Sequence, residues 1–94
     1  MAPDTDDIEF PDVGEWVTYC DTHPKRSRAQ LGTLREKLYN EGFFGIDQLT
    51  ADRISLVDLS QSLSIGRGLA GLIVRYAGED VTRVRAGTFK MNDT

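Results

Sequence analysis

Cys20 and His23 stand three residues apart in Cys20-Asp21-Thr22-His23, close enough along the chain for a thiolate and an imidazole to share a metal or form a nucleophile–base pair. They are the single cysteine and the single histidine of the chain. A zinc site needs more ligands than these two, so no metal site is predicted. A Cys–His nucleophile would also need an oxyanion site. Cys20 instead falls at helical spacing with Val13, Trp16 and Val17, where it reads as a small buried hydrophobe. His23 reads as part of a turn with Pro24. The carboxylates show no paired arrangement for acid–base work. These residues predict no enzyme, no cofactor and no small-molecule substrate.

A second chemistry lies in the stretch Leu63 to Ala77. A glycine-broken turn, Ser64-Ile65-Gly66-Arg67-Gly68, launches a helix in which Ala70, Ile73, Ala77, Val81 and Val84 recur at steps of three and four. Those five share one helical face, the mark of a buried closing helix. The backbone N–H groups of such a turn can cradle a phosphate where glycines permit close approach. Ile65-Gly66, with Ala70 and Ile73 following, is similar to the second half of a helix-hairpin-helix nucleic-acid motif. Ser64 stands where that motif has its first glycine, and Asp52 and Asp58 lie nearby. The chain also gathers few cations in one place, whereas non-specific DNA binding depends on several. Nucleic acid is therefore the alternative partner and protein the leading one.

Length and charge frame both readings. Ninety-four residues make one domain. The apolar content of 39% and charged content of 28% are those of a soluble globule. A single cysteine points to a reducing intracellular setting, cytoplasmic or nuclear. No apolar run approaches the length of a membrane span, and the acidic start (Asp4, Asp6, Asp7, Glu9) is the opposite of a signal peptide. The net charge of −4 disfavours a dedicated nucleic-acid binder. It is unevenly spread: residues 1–62 hold twelve acids against six bases, while residues 63–94 hold five bases against three acids. An acidic surface and a basic one on the same chain suit head-to-tail self-association.

The elements that would position these groups follow from caps and periodicity. Residues 1–10 are acidic and aperiodic, a disordered lead-in. Asp12 with Glu15 forms a capping pattern for a first helix that Pro24 ends. Ser27 with Gln30 repeats that pattern and opens a second helix to about Glu41, with Leu31, Leu34 and Leu38 as its stripe and Gly42 as its stop. The cap makes Ser27, within Lys25-Arg26-Ser27-Arg28, structural rather than a kinase target. Phe43, Phe44, Ile46 and Leu49 suit a short helix or turn that plugs the core. Ser55 with Asp58 caps a fourth helix bearing Leu56, Leu59 and Leu63. The last and longest helix runs from about 67 to 86, and residues 87–94 form a loose tail. Gly71 and Gly78 inside it predict a closely approaching backbone, and Arg75 with Glu79 a weak surface pair.

Over residues 12–85 the chain resembles the SAM (sterile alpha motif) domain family. Val13-Gly14-Glu15-Trp16-Val17 is similar to its opening helix with a buried tryptophan. Leu34, Leu38, Phe43, Ile46 and Leu49 look like its middle helices, and Leu59 through Ile65 like its leucine-glycine-isoleucine segment. Gly68 followed by Ile73 and Val74 keeps the spacing of its closing helix. Ser64 replaces a usual glycine, the turn from Ile65 to Gly68 is short, and the His23–Ser27 link is long and basic. The resemblance implies an all-α, SAM-like five-helix bundle over residues 11–86 with a long C-terminal helix. It also implies an interaction module that binds itself or another SAM-like domain. The family's two contact regions fall on a basic set, Gly66, Arg67, Gly68 and Arg75, and an acidic set, Asp47, Asp52 and Asp58.

Overall fold

Asp12 sets the start of the fold. In the computed structural model, which describes residues 9–91, its carboxylate accepts hydrogen bonds from the Gly14 and Glu15 amides at 2.9 and 3.2 Å. Helix α1, Val13–Thr22, therefore begins at the predicted cap. The Tyr39 hydroxyl donates to the same carboxylate and lies over Gly14, where a Cβ would collide with it. The helix stops at His23, extended ahead of Pro24.

The predicted second helix is broken. Ser27–Ala29 forms a 3-10 turn, Gln30 takes a left-handed φ of 51°, and Leu31–Leu34 makes a second 3-10 segment. Only Arg35–Asn40 is α-helical (α2). Ser27 caps nothing, because no side-chain bond closes this turn. The segment serves Arg26 instead, whose side chain turns inward and is 3% exposed. The reversal at Gln30 then returns Leu31, Leu34 and Leu38 to the interior. Gly42, at φ 89°, ends α2 in the left-handed conformation that glycine adopts most easily.

Ile46–Leu49 is a 3-10 plug with Ile46 and Leu49 fully buried. Phe43 packs beside it, whereas Phe44, also expected in the core, is 62% exposed. Helix α3, Leu56–Leu63, is capped by the Ser55 hydroxyl, which accepts from the Asp58 amide at 3.1 Å. Leu59 and Leu63 point inward, but Leu56 remains 37% and Val57 48% exposed. Helix α4, Arg67–Ala86, buries Ala70, Ile73, Ala77 and Val81 and ends at left-handed Gly87. It packs on α3 and on the Ile46–Leu49 plug, while α1 packs on α2 and Leu31–Leu34.

Each large aliphatic side chain buried here contributes about 1.5–3 kcal/mol. The glycines of α4 do not mark a close backbone crossing: a Cβ on Gly71 would meet only the Leu56 side chain at 3.6 Å, and one on Gly78 would meet nothing described within 4 Å. Phe89 folds back to meet Tyr19 edge-on at 5.5 Å. Among the described residues the chain is mostly helical, four α-helices with three 3-10 segments, and it has no strand beyond an isolated bridge between Asp12 and Gly45. The expected lead-in lies almost wholly outside the described residues.

Candidate functional site

The interior holds an ionic cluster that the apolar stripes did not announce. Asp80 falls on the buried face of α4, three residues after Ala77 and seven after Ile73, and is 0% exposed. Its carboxylate accepts from Trp16 Nε1 at 2.8 Å and from both terminal nitrogens of Arg26 at 2.6 and 3.1 Å. Arg26 also donates to Glu79 at 3.0 Å and to Cys20 Sγ at 3.7 Å, and its guanidinium lies 4.6 Å over the Tyr76 ring. Burial would lower the Arg26 pKa, but the hydrogen bonds and charge of Asp80 outweigh it and raise the pKa, so the cation is locked. The Cys20 thiol is pushed up to about 11 by burial, only partly opposed by Arg26. That is an inert thiol, and among the described residues no cluster of three metal-ligating side chains forms. Every described buried side-chain nitrogen and oxygen has a hydrogen-bond partner, so the cluster is one that the fold can bury.

The predicted contact residues lie elsewhere. Gly66 is the N-cap of α4, has no side-chain capping bond, and has open space where a Cβ would stand, as does Gly68. Their φ values are not left-handed. Arg67 is exposed and forms no ion pair among the described residues. Arg75 lies two turns on, about 12 Å along the axis and about 80° around it from Arg67. It forms the predicted surface pair with Glu79 at 3.5 Å. Arg67 and Arg75 are thus separated along the same helix, both exposed. Asp47 is half-buried, and Asp52 and Asp58 are exposed. The Thr50 hydroxyl donates to Asp52 and, with smaller help from Arg53 and Arg85, holds its carboxyl below the ordinary range.

Arg75 has different company from that expected. It lines a cleft of about 390 Å³ between the His23–Arg26 turn and α4, together with His23, Lys25, Arg83, Tyr76 and Glu79. Arg75 and Arg83 are 71% and 52% exposed and hold their carboxylates at 3.5 and 3.7 Å, too long for strong pairing. His23 Nδ1 accepts from the Lys25 amide at 3.2 Å, which places the proton of the neutral ring on Nε2 as a donor. Sequence reading grouped Lys25 and Arg26 as one basic loop. The signal that separates them is Asp80, since a carboxylate on an apolar stripe requires a buried cation.

Comparison of the chain with protein families, with curated proteins and with solved structures finds no match in any of the three.

Proposed function

We propose that this chain is a SAM-like, five-helix interaction module that works by binding protein, either a second copy of itself or another helical domain, in an intracellular setting. The observation that carries this reading is how its polar groups divide. Among the described residues, every buried side-chain nitrogen and oxygen has a hydrogen-bond partner. Among the exposed charges, Asp52 and Asp58, with half-buried Asp47, lie on the middle segment beside exposed Arg53, and Arg67, Arg75, Arg83 and Arg85 lie along α4 beside Glu79. Charge divided in this way steers one surface onto its complement. The short helices between α1 and α3, a buried tryptophan on α1 and a long closing helix support the SAM-like comparison. The test is solution mass by light scattering across a concentration series at low and high salt. Mass should grow with concentration and shrink with salt. A monomer under every condition would overturn self-association and leave binding to another helical domain to be tested by titration.

A helix-hairpin-helix-type nucleic-acid module is the second reading. The start of α4 favours it: no side chain caps the helix, and the space around Gly66 and Gly68 is open to a phosphate. Titration with labelled duplex DNA distinguishes the two, because tight, salt-sensitive binding by a monomer fits only this reading.

A further inference from the structure

We infer that the cleft between the His23–Arg26 turn and α4 is a binding site for the dianion of a phosphate monoester. The site does not depend on self-association, and it lies apart from Arg67 and the start of α4. Three observations carry it.

The first is a surplus of charge. Lys25, Arg26, Arg75 and Arg83 line the cleft, and among the described residues Glu79 is the sole carboxylate lining it. Asp80 lies beneath, bonded to Arg26 and Trp16. Four cations against these two carboxylates leave two positive charges. A phosphate monoester brings about two negative charges at neutral pH. A carboxylate or a phosphodiester brings half of that.

The second is that the cations can be released. Arg26 donates to Glu79 Oε1 at 3.0 Å, while Arg75 meets the other oxygen, Oε2, at 3.5 Å. Arg83 meets Asp80 Oδ1 at 3.7 Å, an oxygen to which Arg26 donates at 3.1 Å. Either arginine can therefore turn to a ligand while its carboxylate stays paired with Arg26. Pairs this long and this exposed at the arginine contribute little. Lys25 is exposed and has no ion pair among the described residues.

The third is convergence. Arg75, Glu79 and Arg83 stand four residues apart, so they form one row on α4, about 12 Å from end to end. Lys25 and the Nε2–H of His23 belong to the turn that forms the other side of the cleft. Donors thus come from two elements, and three movable cations match the three terminal oxygens of a phosphate ester. The floor is fixed, because Arg26 is 3% exposed and held by Asp80. A volume of about 390 Å³ leaves room for the group that carries the phosphate.

The experiment follows amide chemical shifts of the nitrogen-15-labelled protein at neutral pH and constant ionic strength. The probes are capped phosphoserine, inorganic phosphate and diethyl phosphate, the last a monoanion. Capped phosphoserine should give saturating shifts centred on Lys25, Arg26, Tyr76 and Arg83, and should bind at least about tenfold more tightly than diethyl phosphate. Lys25→Ala with Arg75→Gln removes the charge surplus and should weaken that binding at least about tenfold, whereas Arg67→Glu should bind like the parent. Each variant is first checked for the parent's thermal midpoint, and Lys25→Ala alone replaces the double variant if that one melts early. Inorganic phosphate binding as tightly as capped phosphoserine would identify the free ion as the ligand of this site. Diethyl phosphate binding as tightly would overturn the charge match. Shifts that grow without saturating, or a double variant that binds like the parent, would overturn the site. A parent that never self-associates changes none of these outcomes.

Discussion

The indole N–H of Trp16 donates to the Asp80 carboxylate at 2.8 Å, inside the core and across 64 positions of sequence. A carboxylate in that position would cost several kcal/mol if it were left with the indole alone. Arg26 supplies the missing charge through two parallel N–H bonds, the strong geometry for this pair. The turn after α1, α1 itself and α4 are thereby fixed to one another at a single point. The same fixation holds the floor of the cationic cleft, so fold and candidate surface depend on one ion pair.

Removing one partner of that pair should therefore be far worse than removing both. Arg26→Ala strands a buried carboxylate at a cost of about 3–5 kcal/mol, a large share of the stability of a domain this small. Arg26→Met combined with Asp80→Leu replaces the charges with apolar volume and should cost much less. Trp16, the sole tryptophan, reports unfolding by its fluorescence in urea. An Arg26→Ala protein within about 1 kcal/mol of the parent would show that the pair does not hold the fold.

Cys20 should be chemically silent while the domain is folded. Its side chain is 0% exposed, and its thiol is pushed up to about 11, so at neutral pH almost no thiolate exists and no reagent reaches it. Reaction with a disulfide reagent should run at least about 100-fold slower than in the urea-unfolded chain, following the opening equilibrium. Native-state labelling at the unfolded rate would place Cys20 outside the core.

Ser64, like Gln30, is a residue with a Cβ held in the left-handed conformation. It closes α3 at φ 56°, ψ 48°, a conformation that costs a residue bearing a Cβ about 1 kcal/mol and costs glycine little. Ser64→Gly should therefore raise the thermal midpoint by a few degrees without changing association. A lowered midpoint would mean that the serine hydroxyl makes a contribution larger than the strain it relieves.

Much of this architecture is legible in residue order because its signals are local. Asp12 and Ser55 cap as their neighbours require, Gly42 and Gly87 stop helices at left-handed positions, and the Ala70–Val81 stripe is buried. The failure at Arg26 depends on a partner far along the chain. Arg26 looks like a loop cation until Asp80 is brought beside it, and its burial breaks the helix that Ser27 and Gln30 would otherwise open. Phe44 and Leu56 carry apolar side chains at plausible core positions, yet nothing in their spacing shows that Phe43, Leu59 and Leu63 already fill that space. Arg75 was legible as a surface residue. Its cleft was not, since Lys25 lies 50 positions earlier.

The Asp12 cap makes a pH-dependent contribution whose sign can be worked out. Burial would raise the Asp12 pKa, but the hydrogen bonds from the Tyr39 hydroxyl and the Glu15 and Gly14 amides, helped by Arg35, bring it below its ordinary 3.8. A carboxyl depressed in the folded state stabilises fully above its unfolded pKa, and that contribution is lost as pH falls through the folded value. Stability measured in urea should thus decline below about pH 4, as protons bind the unfolded chain first. Asp12→Asn keeps an acceptor for the helix amides but has no charge to titrate. It should be less stable than the parent at pH 7, by about 0.5–2 kcal/mol at most, and the gap should narrow towards pH 2. Parallel curves for the two proteins from pH 7 to pH 2 would show that the cap's charge is not what Tyr39 and the α1 amides stabilise.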